Sequence, residues 1–210
     1  MTEIRPENPA YRIVEIFESL QGEGYNTGMS AVFIRLGKCN LACAWCDTDY
    51  LTFEMMSLAD ILGRLKSYTA RNIIITGGEP TIQPHLAVLL DALKSAGYRL
   101  YIETNGLNPA PPQIDYVAVS PKACYAAKYE QQCIAKADEV RIVADGDVLA
   151  FCAAMEQKIR AGHYYLSPCE KNGEMNIYDT ICQIGILNSR AAAPVHWQLS
   201  VQTHKWAGIE

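Results

Sequence analysis

The stretch Ala31-Val32-Phe33-Ile34-Arg35-Leu36-Gly37-Lys38-Cys39-Asn40-Leu41-Ala42-Cys43-Ala44-Trp45-Cys46 runs an apolar segment of strand length straight into three cysteines spaced Cys-x-x-x-Cys-x-x-Cys. Structural zinc and iron-sulphur sites normally take four protein ligands. No fourth Cys or His lies within fifteen residues on either side of the triplet. Three thiolates therefore suit a cluster with one open iron, which something else must complete. A zinc knuckle that borrows Cys169 or Cys182 from far along the chain is the competing reading.

Working outward, apolar runs of strand length recur at 31–36, 72–76, 99–103, 116–119, 139–143, 163–166 and 197–202, with helical patterns between them. That alternation is the signature of an α/β fold with a mostly parallel sheet. Ser57 and Asp60 form an N-terminal capping signal, after which Leu58, Ile61, Leu62 and Leu65 share a helix face. Pro84 suits a first helical turn, Leu86, Leu89, Leu90 and Leu93 repeat the spacing, and Gly97 is a stop. A third helix is expected over about 147–160, with Val148, Phe151, Met155 and Ile159 inward. These elements are too few for a closed eightfold barrel of roughly 250 residues. The expectation is a partial, open (β/α) barrel in a single domain covering 1–210, with 1–11 as an N-terminal extension.

In such sheets ligands gather at the carboxyl ends of the strands. The cysteine triplet, Gly77-Gly78-Glu79-Pro80, Glu103-Thr104-Asn105-Gly106 and Ser120-Pro121-Lys122 all follow successive predicted strands at that end. Gly77 and Gly78 allow the backbone to approach a ligand, and their carbonyls can accept hydrogen bonds from an ammonium group. Pro80 restricts Glu79 to extended conformations. Arg35 shares a strand face with Ala31 and Phe33, so a guanidinium stands among apolar groups and needs an anionic partner, either a ligand or an internal carboxylate. Gln21 and Glu23 present an amide and a carboxylate on a glycine-flanked loop. On chemistry alone, Asp47 or Asp49 would be the first choice for a hard metal ion.

Composition narrows the partners. A formal charge of -5 with no Lys/Arg cluster argues against nucleic acid. The polar first eleven residues are no signal segment, and no run approaches the roughly 18 apolar residues of a membrane span. The eight cysteines are expected as reduced thiols in a cytoplasmic protein acting on a small molecule.

Together with Leu20-Gln21-Gly22-Glu23-Gly24, Phe33-Ile34-Arg35, Asp47-Thr48-Asp49, Thr76 and the ending 199–205, these motifs resemble the 7-carboxy-7-deazaguanine synthases of the radical S-adenosylmethionine (SAM) superfamily, over 15–205. The resemblance implies ring contraction of 6-carboxy-5,6,7,8-tetrahydropterin to 7-carboxy-7-deazaguanine with loss of ammonia. It implies a 4Fe-4S cluster on Cys39, Cys43 and Cys46, SAM on the open iron, and Mg2+ at Thr48. It assigns SAM to Trp45, Cys46, Asp47, Gly77, Gly78, Glu79, Ser120, Pro121 and Lys122, with Glu103 and Asn105 as weaker candidates for its ribose. It assigns the pterin to Leu20, Gln21, Gly22, Glu23, Arg35, Thr76, Gln202, His204 and Glu210, with Arg35 on the substrate carboxylate and 195–210 closing the pocket. Gln202 and His204 are expected in the last strand. A flavodoxin-type reductant and a homodimer complete the implied set.

Two departures stand out. Relatives carry Gln-Pro where this chain has Ser167-Pro168-Cys169-Glu170, and the chain ends in Glu210 with a second carboxylate. The rival readings are a glycyl-radical-activating enzyme and a non-catalytic zinc or iron-sulphur module.

Overall fold

The computed structural model describes residues 8–171, 173–191 and 193–209. The elements run β1 (Ala10–Leu20), β2 (Ser30–Leu36), β3 (Glu54–Ser57), α1 (Leu58–Leu65), β4 (Asn72–Gly77), α2 (Leu86–Ser95), β5 (Arg99–Thr104), β6 (Tyr116–Val119), α3 (Ala126–Gln131), β7 (Glu139–Ala144), α4 (Leu149–Lys158), β8 (His163–Pro168), β9 (Glu170–Lys171), β10 (Glu174–Met175), α5 (Ile177–Ser189), β11 (Trp197–Leu199) and α6 (Thr203–Ala207). Nine strands form one sheet in the order β11-β8-β7-β6-β5-β4-β2-β1-β3, parallel from β11 to β2 and antiparallel at β1 and β3. β9 and β10 make a separate small hairpin. The two ends of the large sheet do not pair, so the barrel is open, as expected.

Alternation along the strands produces two different faces. Val32, Ile34, Leu36, Ile73, Ile75, Leu100 and Ile102 pack under α1 and α2. Val119, Val140, Ile142, Tyr164, Leu166 and Trp197 form a second core with residues of α3, α4 and α5. The opposite, concave face carries only a small buried apolar cluster of Ala31, Phe33, Ile74 and Tyr101. Polar and charged side chains occupy the rest of that face, and it is where the chemistry collects.

Local signals explain several boundaries. Ser57 caps α1 by accepting from the Asp60 amide at 3.2 Å, and Leu58, Ile61 and Leu65 are buried, as the spacing predicts. α2 starts later than Pro84 because Gln83, held extended before the proline, is followed by His85 at φ 59 as the helix cap. α4 is shorter than 147–160, since the Asp147 side chain accepts from the Leu149 amide and stays outside the helix.

Three differences matter for the site. β1 was not evident from sequence because a register shift between Ile13 and Glu15 breaks its alternation, so Tyr11, Ile13 and Ile16 are the buried residues. Residues 10 and 11 thus open a strand rather than belonging to an extension, while 1–7 lie outside the described residues. The predicted strand 197–202 stops at Leu199. The Ser200 amide still bonds the Leu166 carbonyl, but Thr203 then turns toward Gly22 and α6 begins. Gln202 is accordingly the cap of α6 and His204 lies within it.

Candidate active site

Cys39, Cys43 and Cys46 lie in the irregular loop that leaves the carboxyl end of β2. Buried Leu41 anchors this loop, the Tyr50 hydroxyl donates to the Leu41 carbonyl, and the Ala42 amide donates to the Tyr125 hydroxyl at 3.0 Å. Trp45 donates its indole N–H to Asp145 at 2.8 Å, and the Lys122 ammonium stands 5.3 Å from the Trp45 ring centre. Cys39 and Cys43 are half-buried and Cys46 is exposed. Burial raises the thiol pKa of Cys39 and of Cys43. A coordinating metal deprotonates such thiols outright.

The turn after β4 is wedged against the base of this loop. The Gly78 amide donates to the Leu36 carbonyl at 2.8 Å and the Glu79 amide to the Lys38 carbonyl at 2.9 Å. Gly77 has φ 126, and a Cβ on Gly78 would lie 2.0 Å from the Lys38 carbonyl oxygen. Glycine is required here because the contact is with backbone, which cannot rotate aside. Gly78→Ala is expected to destabilise the fold by about 1–3 kcal/mol and to displace the cysteine loop. A thermal melt together with iron content after reconstitution checks both effects.

Glu79 is fully enclosed and accepts from the Thr81 amide, the Thr81 and Thr104 hydroxyls and the Asn105 amide. It therefore organises the turn and the end of β5 instead of facing a ligand directly. Asn105, in turn, donates from its side chain to Asn40 at 2.7 Å and ties β5 to the cysteine loop. Next along the sheet, the Ser120 amide bonds the Thr104 carbonyl, and Lys122 donates to the Ser120 hydroxyl at 2.7 Å. Burial lowers the Lys122 pKa even though Cys43 nearby favours its charged form. At the end of β8 the Ser167 hydroxyl is buried with no hydrogen-bond partner.

A second polar group fills the concave face. Glu103 accepts from Gln21 at 3.0 Å, from the Thr76 hydroxyl at 3.0 Å and from Arg141 at 2.7 Å. Arg141 also meets Glu23 at 3.2 Å and Glu139 at 3.3 Å. Glu139 in turn accepts from Tyr116 and from the Tyr25 amide. Burial alone would raise the Glu103 pKa, but the Arg141 charge and the three hydrogen bonds outweigh it and hold Glu103 below the usual carboxylate range. Arg141 stays charged for the converse reason: burial disfavours its charge, and the three carboxylates more than restore it. A narrow recess opens on this group, lined also by Asn26, Met29 and Tyr101. Three carboxylates against one guanidinium leave it acceptor-rich, suited to a ligand edge that donates N–H groups.

The chain end closes over the same region. Gly22 accepts from the Thr203 amide and hydroxyl, the Gly24 amide donates to Ser200, and His204 lies so close that a Cβ on Gly22 would meet its Nδ1 at 2.0 Å. Asp47 of the cysteine loop accepts from Lys205 at 3.1 Å and Gln202 at 3.4 Å. The folded chain thus brings together the 20–24 loop, the cysteine loop and residues 200–205, as the sequence reading expects. Lys205→Ala is expected to change stability by under about 1 kcal/mol, because the pair is exposed, while making the tail more susceptible to proteolysis. Limited digestion reads that difference.

Some expected positions differ. Arg35 has its anionic partner inside the protein: its Nε meets Glu15 at 2.6 Å, its guanidinium stands over Phe17 at 5.7 Å, and its Nη1 is 3.4 Å from the Thr48 hydroxyl. Glu103 belongs to the interior network rather than beside Asn105 as a ribose contact. Asp49 caps the Leu51 and Thr52 amides. Leu20 ends β1 and is exposed. Glu210 lies outside the described residues. Arg141, Glu139 and Glu15 were missed, although Glu139-Val140-Arg141-Ile142 carries the same signal that marked Arg35: charges on one face of an otherwise apolar strand.

Comparison with known proteins agrees with this geometry. The profile of the radical SAM superfamily matches residues 33–121. The 7-carboxy-7-deazaguanine synthase of Neisseria meningitidis serogroup B is 83% identical over 207 residues, covering 99% of this chain and 98% of that protein. The synthase of Haemophilus influenzae is 59% identical, covering 96% and 95%. The crystal structure of QueE from Escherichia coli superposes with a TM-score of 0.66 at 29% identity, covering 92% of this chain and 94% of the other.

Proposed function

The chain belongs to the 7-carboxy-7-deazaguanine synthase family of radical SAM enzymes, and on that premise we propose which of its residues carry the family's reaction. That reaction is the ring contraction of 6-carboxy-5,6,7,8-tetrahydropterin to 7-carboxy-7-deazaguanine with loss of ammonia, a carbon-nitrogen lyase step in queuosine biosynthesis. Membership displaces both rivals, the glycyl-radical-activating enzyme and the non-catalytic metal module.

The donor set fits a 4Fe-4S cluster and SAM. Three thiols share one loop at the ligand end of the sheet, the number that leaves one iron of a four-iron cluster open for another molecule. Cys39, Cys43 and Cys46 would hold the cluster, and Gly77, Gly78, Trp45, Asp47, Ser120, Pro121 and Lys122 would border SAM, with Glu79 bracing the glycine turn. When bound, cluster and SAM supply the radical that takes hydrogen from carbon 6 of the pterin.

The chain's own share is recognition and position. Gln21, Glu23 and Glu103 face the amino-pyrimidinone edge, with Arg141 holding both carboxylates in place and keeping Glu103 ionised. Thr76 braces Glu103. The Nη edge of Arg35, beside Thr48, takes the substrate carboxylate while Nε remains on Glu15. Gln202 and His204 close the pocket against Gly22 and exclude water. Among the described residues Thr48 would give magnesium one neutral oxygen beside a guanidinium, so most ligands would come from substrate and water. We assign no step to it.

The observation that carries the reading is the acceptor-rich group of Gln21, Glu23, Glu103 and Arg141, whose loop is joined to the cysteine loop by residues 202–205 bonding both Gly22 and Asp47. Anaerobic reconstitution with 6-carboxytetrahydropterin, SAM, magnesium and a strong reductant, followed by mass spectrometry, tests it. The ring-contracted product is expected; SAM cleavage without it would overturn the substrate assignment.

A flavodoxin-type protein is the proposed electron donor, meeting the exposed Cys46 side of the loop. A homodimer would cover Tyr178, Ile181 and Ile186, exposed on α5. No helix is long and apolar enough to cross a membrane among the described residues, and no disulfide joins the cysteines, both compatible with the proposed cytoplasmic location.

A further inference from the structure

Trp45 stands in the turn between Cys43 and Cys46, which is closed by the Cys46 amide donating to the Cys43 carbonyl at 3.1 Å. Its indole nitrogen can only donate, and it reaches Asp145, just beyond β7, at 2.8 Å although 100 residues separate the two in sequence. The face of the same ring lies 5.3 Å from the ammonium of Lys122, which is itself bonded to the Ser120 hydroxyl beyond β6. The end of β7 is anchored independently. The Asn176 side chain donates to the Ala144 carbonyl at 2.8 Å and accepts from the Cys169 amide at 2.7 Å. Asp145 thus projects from a fixed point, and a ring gripped by its edge and its face from two different strand ends keeps one orientation.

We propose that Asp145 is a positioning residue for SAM, acting through Trp45: it fixes the indole in the orientation that borders the SAM site. The inference rests on the placement of Trp45 beside SAM. Without the bond to Asp145 the indole can turn about its side-chain torsions, and the surface it gives to SAM is no longer set in advance. The cysteines and the pterin group do not depend on that bond. Asparagine keeps an oxygen that can accept from the indole at nearly the same reach, whereas alanine removes the acceptor. The two substitutions therefore separate the hydrogen bond from the mere presence of a side chain at this position.

The test has two readouts on the full-length chain. In isotope-labelled, cluster-free protein the three tryptophans, Trp45, Trp197 and Trp206, give three indole N–H resonances, and the one missing from Trp45→Phe belongs to Trp45. Asp145→Ala is expected to move that resonance and leave the other two in place, which also shows that the fold is kept. Asp145→Asn should leave all three near the parent. After anaerobic reconstitution, Asp145→Ala should raise the KM for SAM roughly tenfold, with kcat, the KM for the pterin and iron content close to the parent. Asp145→Asn should return the KM for SAM toward the parent. An unmoved Trp45 resonance in Asp145→Ala, or equal losses in the alanine and asparagine variants, would overturn the proposal. An unchanged KM for SAM in Asp145→Ala would also overturn it, and Trp45→Ala then locates the fault. A raised KM in Trp45→Ala would leave Trp45 beside SAM and reject Asp145 alone; an unchanged one would reject the placement of Trp45 as well.

Discussion

Cys46→Ala protein is expected to fold normally and to form no product. Cys46 is exposed, and surface substitutions of this kind usually change stability by no more than about 0.5 kcal/mol. Its loss leaves two thiols on the loop, one short of the set that a cluster with a single open iron requires. Iron and sulphide content should drop sharply on reconstitution, reductive cleavage of SAM should fall to background, and the melting temperature should stay within about 2 °C of the parent. Measuring all three separates a lost ligand from a lost fold. Undiminished SAM cleavage would show that Cys46 is not a ligand.

Arg141→Met should have the largest effect on stability. The substitution removes the guanidinium that meets Glu23, Glu103 and Glu139. Removing one partner of a buried ion pair typically costs about 3–5 kcal/mol, because the remaining charge is left uncompensated. For a chain of this size that corresponds to a melting temperature lower by roughly 10 °C. The pH dependence carries a sign. Glu103 in the folded protein titrates below its ordinary value, so its contribution is fully present above the unfolded pKa of about 4.3 and is lost as pH falls through the lower folded value. In the variant, burial remains and the Arg141 charge does not, so the gap between parent and variant should narrow from pH 7 toward pH 4. A gap independent of pH would mean that the arginine acts by packing rather than charge. Product formation should also fail, since Glu23 loses its partner and Gln21 loses the group that holds Glu103.

Much of the site could be read in advance because its parts are local. A triplet spaced over eight residues must sit on one loop, two glycines before Glu-Pro must make a turn, and alternation in 31–36 must set Arg35 on the face of Phe33. What escaped was long-range or irregular. The bulge in β1 hid a strand whose Glu15 supplies the partner of Arg35. The final strand was drawn too long because nothing near residue 200 announces that Thr203 will bond Gly22, 181 residues earlier.

By itself the sequence determined the α/β class, the open barrel, the cluster loop and the family, because periodicity, ligand spacing and motif order are properties of neighbouring residues. Only the tertiary structure decided that Glu103 joins Gln21, Thr76 and Arg141 in one network and that Glu79 is enclosed as a brace. Those contacts join separate strands and loops, and a buried charge declares its partner only once the sheet has brought them within hydrogen-bond reach.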